Sequence, residues 1–385
     1  MRASKAIVAT AAAVGSILLA AGCSSSSSSG GAAASGSGSG SSTNWATATS
    51  AAAGGGMNAL IAAAKKEGHL NVITLPSDWA NYGTIMKDFT AKYGIQITDE
   101  NPDGTSQDEL NAINQTKGQS RAPDVVDVGT AFAAKGQQEG VWAPYKVATW
   151  NDIPADSKDP TGLYYADYGG YVAIGYDTSK VKTPPTSFKS LLTGPYKNMV
   201  ALNGSPTQAG AAFAGVYAAA LANGGSFGNI APGVSYFKQL KQAGNFVPVT
   251  GSASTMESGQ TPILIWWDYL LASEVGASYK NLKIVIPSDA HYAAYYDQAV
   301  SKYAPDPAAA RLWEEYLYST EGQNLFLEGG TRPIELPALV AAGTEDKKAY
   351  AALPPAPSGG VTFPSIAQQN TAETVVAQQW PTVAS

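Results

Sequence analysis

Between residues 57 and 128 the chain alternates short apolar runs with stretches of helical period, and this alternation limits its possible folds more than composition does. Residues 57–67 read as a short amphipathic helix that Gly68 ends, and Leu70, Val72, Ile73 and Leu75 form a strand that Pro76 breaks. Residues 82–93 put Ile85, Met86 and Phe89 on one helical face and stop at Gly94. A second strand follows at 95–98. Ser106 and Glu109 then stand at capping-box spacing, which predicts a helix from Ser106 to about Lys117. Residues 123–128 give a third strand. This β-α-β-α-β order predicts an α/β fold with mainly parallel sheets, whose ligand-binding loops follow the strands.

The later chain keeps the alternation. Strands are expected at 171–176, 200–202 and 262–267, and helices after 183–187, at 208–222 and at 234–243. Asp306 and Pro307 mark a helix start, and a further helix at 321–327 stops at Gly329 and Gly330. From about Met57 onward the body exceeds the usual size of a single core, so two lobes are expected.

The N-terminus has another character. Arg2 and Lys5 precede an apolar run of about 16 residues, short of the roughly 20 that span a membrane. Leu18, Leu19, Ala20, Ala21 and Gly22 then lead into Cys23, the one cysteine in 385 residues. That layout is a secretory signal, and it resembles the lipobox of bacterial lipoproteins. The resemblance implies a signal peptide at 1–22, cleavage before Cys23 and lipid on its sulfur and amine. Two or three acyl chains anchor a protein stably to a membrane surface. Residues 24–42 are all Ser, Gly or Ala, a composition that cannot bury a core, so 23–56 is expected to be a tether. Without Arg2 and Lys5, 22 basic residues face 30 acidic ones, a net charge of −8. That balance argues against nucleic acid and against a polybasic membrane surface. With one cysteine, no disulfide forms within the chain.

Several motifs resemble family 1 extracellular solute-binding proteins, the capture subunits of ABC importers. They are Pro307 with Arg311 to Trp313, then Tyr318 to Asn324, then Gly329 to Pro333; Arg121 to Val125 and Asp167 to Asp177 resemble the same family's third strand and first interlobe crossing. The similarity runs from about residue 70 to 333 and is nearest to the branch of polyamine, ferric-ion, thiamine and aminoethylphosphonate binders. It implies a two-lobed type II periplasmic-binding-protein clamshell with crossing hinge strands at 171–176 and 291–300. Lobe 1 would comprise 57–175 and 295–385, and lobe 2 would comprise 176–294. It also implies a small-molecule solute, permease transmembrane subunits as partners, and a monomer on the outer face of the cell membrane.

Candidate ligand groups follow from loop position. Ser77, Asp78 and Trp79 follow the first strand; Trp267 and Asp268 follow the last strand of the second lobe. Each loop pairs a carboxylate with an indole, which suits a cation through charge and ring face; otherwise the tryptophans fill core and the aspartates cap helices. The family's polyamine binders place a tryptophan and an aspartate near the second loop, and its ferric binders a tyrosine pair that this chain lacks. Residues 203–207, with Ser205 and Thr207, offer backbone N–H groups and hydroxyls to an anion, or simply N-cap a helix. Gly129 and Thr130 end the third strand, and Tyr168, Tyr295 and Tyr296 lie by the crossings. A cationic amine such as a polyamine is the expected solute; a zwitterion, phosphonate or ferric complex is the alternative.

An enzyme, such as a surface-anchored hydrolase, fits worse. Gly224, Ser226 and Gly228 match G-x-S-x-G but follow a helix, where a nucleophile elbow needs strand–turn–helix. His69 and His291, the two histidines, stand far apart in sequence, which leaves little for a triad or a His-rich zinc site. No Walker loop or G-x-G-x-x-G occurs, and no cofactor is expected.

Overall fold

The computed structural model describes residues 43–276, 279–354 and 363–384. Cys23, the signal segment and the Ser/Gly/Ala run lie outside them. The folded body starts earlier than expected, since residues 43–385 form one compact unit. Trp45, on a 3-10 turn over Trp45–Thr47, is buried. Its ring lies so close to Gly54 that a β-carbon there would meet it at 2.2 Å. Buried Arg311 donates from Nε to the Ala48 carbonyl at 2.8 Å and from Nη2 to the Ala46 carbonyl at 3.1 Å. Residues 43–56 are therefore body, not tether; one tryptophan among small residues is too sparse a signal for composition to reveal.

The first half of the body runs α1 (Met57–Glu67), β1 (His69–Ile73), α2 (Tyr82–Tyr93), β2 (Gln96–Glu100), α3 (Ser106–Thr116), β3 (Val125–Gly129) and α4 (Thr130–Glu139). A short β4 (Trp142–Ala143) precedes the long β5 (Tyr165–Asp177). Next come α5 (Phe188–Thr193), β6 (Val200–Leu202), α6 (Gly210–Ala222), α7 (Ala231–Gln242), α8 (Ala253–Ser258) and β7 (Ile263–Trp267). Then α9 (Asp268–Leu270) passes into a π-helical turn, Leu271–Val275. The chain closes with β8 (Leu282–Val285), β9 (Ala293–Ser301), α10 (Pro307–Leu317), α11 (Thr320–Glu328), β10 (Arg332–Pro333), α12 (Leu336–Ala342), α13 (Lys347–Ala352), α14 (Ile366–Gln379) and α15 (Pro381–Ala384).

Local chemistry explains most of these boundaries. α2 buries Tyr82, Ile85 and Phe89 on one face, and Gly94 ends it in the left-handed conformation, φ 73°. The capping box of α3 sits one residue earlier than expected, on Thr105 and Asp108. That shift frees Glu109 to turn inward, where its Oε2 accepts from the Asp127 N–H at 3.1 Å. At α10 the N-cap is Asp306, as expected, but its side chain makes no capping bond. The Glu67 carboxylate of α1 caps the helix instead, accepting from the Ala308 and Ala309 N–H groups at 3.1 and 2.7 Å.

β1 and β2 pair in parallel, and a second sheet runs β3-β9-β5-β7-β6, with β4 on β9 and β8 and β10 on β5. Pairing is mainly antiparallel in this sheet, not parallel as expected: only β6–β7 runs parallel, while β5 and β9 are antiparallel to each other and to every other neighbour. The cause is the crossings, which return through the sheet against the direction of the strands they join. Residues 165–171 of β5 pair with β9, and residues 172–177 pair with β7 and β8. β5 is buried throughout because it joins the two halves of the body.

The C-terminal helices do not sit wholly with the first half, where the division at residue 295 placed them. Trp380 packs on Phe237 of α7 at 5.5 Å, Lys241 Nζ donates to the Val383 carbonyl at 2.8 Å, and the Tyr217 hydroxyl of α6 donates to the Gln368 carbonyl at 3.0 Å. α14 also packs on α4. No helix among the described residues is long and apolar enough to cross a membrane.

Candidate functional site

A cleft of about 500 Å3 opens between the loops after β1 and β2, with α3 and β3, on one side and residues 203–211, β7 and the π-helical turn on the other. Its carboxylates are Asp78, Asp103, Glu109, Asp127 and Glu274, and among the described residues that line it there is no Lys, Arg or His. Its aromatic wall is Trp79, Trp266 and Tyr296. Trp79 meets Trp266 edge-on at 6.4 Å and Tyr296 edge-on at 5.6 Å.

The floor is anchored in the core. Asp127 is 5 % exposed, and its Oδ2 accepts from the hydroxyls of Tyr168 at 2.6 Å and Tyr82 at 3.0 Å. The Tyr168 hydroxyl also accepts from Trp79 Nε1 at 2.7 Å, so one tyrosine orients a carboxylate and an indole of the site. Asp127 Oδ1, Glu109 Oε1 and Trp266 Nε1 are buried without a hydrogen-bond partner. A buried polar group without a partner costs about 1–3 kcal/mol, more when charged, so three in one cleft mark where a ligand's polar groups belong. Burial pushes the Asp127 carboxyl up to about 7, against the pull of its two tyrosine hydrogen bonds. Burial, then the Asp127 charge, raises Glu109 well above the carboxylate range. Glu274 rises to about 8 through burial first, then Asp78 and Asp103 opposite.

Of the residues expected from sequence, Asp78, Trp79, Ser205 and Tyr296 meet in this cleft. Ser77 stays outside the lining, and its carbonyl receives the Gly83 N–H at the start of α2. Tyr168 is fully buried behind the wall and acts through Trp79 and Asp127. Gly129, Thr130, Trp267 and Tyr295 line a separate cavity of about 20 Å3 behind the crossings. Gly129 there approaches Gly210, Thr130 Oγ1 donates to the Tyr295 carbonyl at 3.4 Å, and Tyr295 packs on Phe363. Thr207 lies outside the cleft lining, and its hydroxyl lies 2.8 Å from that of Ser205. Neither caps α6, whose N-cap is Ala209 without a side-chain bond.

The pair expected to carry the site, Trp267 and Asp268, is a structural feature. Trp266 faces the cleft and Trp267 the opposite side, because successive strand residues alternate; Trp267 Nε1 donates to the Tyr296 hydroxyl at 3.4 Å. Asp268 is 2 % exposed and already satisfied. Its Oδ2 accepts from Arg332 Nη1 at 2.9 Å and its Oδ1 from the Tyr171 N–H at 2.8 Å. Gly170 makes room, since a β-carbon there would lie 2.6 Å from Asp268 Oδ1.

Sequence reasoning missed Asp103, Glu109, Asp127, Trp266 and Glu274. Asp127 left a legible mark, a carboxylate between Val126 and Val128 in an apolar strand. Glu109 was masked by its capping-box spacing, and nothing local distinguishes Glu274.

The architecture is that of type II periplasmic binding proteins, in which two lobes enclose a ligand cleft. Residues 120–357 match the model of the bacterial extracellular solute-binding protein family, and the chain belongs to that family. A thiamine-binding periplasmic protein of Brucella abortus is 28% identical over 142 residues, 35% of this chain; the match spans 41% of that relative's length. Among solved structures, the fructose-6-phosphate-bound periplasmic protein AfuA from Actinobacillus pleuropneumoniae superposes with a TM-score of 0.62 at 17% identity, over 81% of this chain and 97% of that one. Iron-bound HitA from Pseudomonas aeruginosa gives 0.61 at 18% identity, over 82% and 99%. These neighbours share the fold and hold chemically different ligands.

Proposed function

We propose that this protein is the extracytoplasmic capture subunit of an ABC importer, held to the outer face of the cell membrane by lipid on Cys23, and that its solute is a small organic cation. The lining of the cleft carries this reading: five carboxylates, three aromatic rings and no basic side chain among the described residues. A sugar phosphate or phosphonate would find no basic side chain among the described lining residues to pair with. No group of three or more His, Cys, Asp or Glu side chains among the described residues fits a metal ion, which favours an organic cation over a bare one. Ring faces and carboxylates together recognise ammonium and aromatic cations. Polyamines and thiamine, a thiazolium cation, both belong to this class, and the partial likeness to a thiamine-binding protein accords with it. The two halves of the body would close on the ligand by bending β5 and β9, a hinge motion, and present it to the permease.

A thermal-shift panel of spermidine, putrescine, thiamine, fructose 6-phosphate, aminoethylphosphonate and ferric citrate tests the assignment. A ligand at 100 times its dissociation constant adds about 2.7 kcal/mol of stability. At least one organic cation should raise the melting temperature and the anions should not; stabilisation by an anion alone refutes the reading.

A further inference from the structure

Glu274 stands on the π-helical turn on one side of the cleft, and Asp78 and Asp103 stand on the loops after β1 and β2 on the other. Three carboxylates thus oppose one another across the opening with no basic side chain among the described lining residues. The elements packed on the Glu274 turn supply no compensating charge to the cleft. α9 brings Asp268, which is committed to Arg332; α8 brings Glu257 and β8 brings Lys283, neither of which lines the cleft. Deeper in the same cleft, fully buried Glu109 and nearly buried Asp127 each keep an oxygen that no protein group meets.

We propose that the cleft exchanges a proton for its ligand: the empty site carries a proton on the Glu274 carboxyl, and a cation settling between Glu274, Asp78 and Asp103 displaces it to solvent. The inference rests on the cation reading above and adds a condition to it, that capture is coupled to pH. The Glu274 O–H bond breaks, the proton passes to water or buffer, and the ligand's positive charge takes its place beside the carboxylate. No oxidant, reductant or transferred group is involved. The physical cause is burial of the carboxyl, to which the Asp78 and Asp103 charges across the cleft add, and together they raise Glu274 to about 8. Near neutral pH the side chain is therefore mostly protonated while empty. A cation favours the ionised form, so affinity rises with pH up to about 8 and falls as the medium acidifies. Each proton released makes the affinity change about tenfold per pH unit.

Titration calorimetry of spermidine, putrescine and thiamine into the full chain, in buffers of differing ionisation heat, measures the protons released. The wild type at pH 7 should release close to one proton or more per cation bound, and its affinity should weaken about tenfold per unit from pH 7 to 6. Glu274→Gln should release about one proton fewer and show a correspondingly flatter pH profile, while Glu257→Gln, outside the cleft, should match the wild type. The ligand-free melting temperature of each variant reports that it is folded; if Glu274→Gln fails to fold, Glu274→Ala takes its place, because the wild-type count alone does not separate Glu274 from Asp127 and Glu109, which burial also raises. Binding of a cation with no proton release, or an unchanged count in folded Glu274→Gln, overturns the exchange and leaves the cation reading standing. Failure of all three cations to bind overturns both.

Discussion

Arg332→Met separates a structural role for Asp268 from a ligand-binding one. The Asp268 side chain is 1% exposed and the Arg332 side chain 14%, and their contact is 2.9 Å. Burial pushes the Asp268 carboxyl up, and the Arg332 charge is the largest influence against that rise. Without Arg332 the carboxylate keeps the Tyr171 N–H and loses its ion pair. Removing one partner of a buried pair costs about 3–5 kcal/mol, because the remaining charge stays desolvated. The guanidinium also lies over the Tyr171 ring at 4.0 Å, a further contribution of about 1 kcal/mol that methionine only partly replaces. With about 2.1 cal/mol/K of unfolding entropy per residue, a body of roughly 340 residues carries about 0.7 kcal/mol/K, so the melting temperature should fall by about 4–8 °C. Scanning calorimetry at pH 7 reads this, and the deficit should shrink as the pH is lowered and Asp268, whose carboxyl burial raises, takes up a proton. Affinity for a cationic ligand should stay within about twofold, since neither residue lines the cleft. An unmoved melting temperature with collapsed affinity would refute the assignment and restore Asp268 as a ligand group.

Three further outcomes are expected. Trp266→Ala should weaken cation affinity by about 1–2 kcal/mol, roughly five- to thirtyfold, whereas Trp267→Ala should destabilise the fold by about 3–5 kcal/mol and leave the affinity of the folded fraction close to wild type. Asp124 and Glu314 are raised to about 8, and Asp127 and Asp297 to about 7, chiefly by burial. Because these folded values exceed the unfolded ones, their stabilising contribution is complete below about pH 4 and is lost as pH rises through 7–8; melting temperature should decline from pH 5 to 9, and less steeply in Glu314→Gln. Finally, Cys23→Ser should move the protein from the membrane fraction to the soluble one, and a variant that still sediments with membranes would rule out the lipid anchor.

Most helices and strands were legible in the sequence because they depend on neighbours two to four positions away. The Tyr82, Ile85 and Phe89 spacing, the glycine stops at Gly68 and Gly94, and Ser187 before α5 are such signals. The crossings at 171–176 and 291–300 were also legible, through the order of family motifs around them.

Which side chains face the cleft was decided by tertiary structure. β7 is apolar at all five positions and buried on both faces, so its sequence carries no alternation from which to choose between Trp266 and Trp267. Pairing with β5 and β6 makes that choice, and a register change of one residue would reverse it. Asp268 looked like a ligand group because its partner, Arg332, lies 64 residues away. Glu109 looked like a cap until Thr105 and Asp108 took that role. The charge of the cleft is likewise a property of the fold, which gathers carboxylates from distant segments: Glu274 feels Asp78 and Asp103 only because the sheet brings the π-helical turn opposite the loops after β1 and β2. Side-chain period and caps are written locally, whereas electrostatic neighbours in a low-dielectric cleft depend on distance in space, which the chain order leaves open.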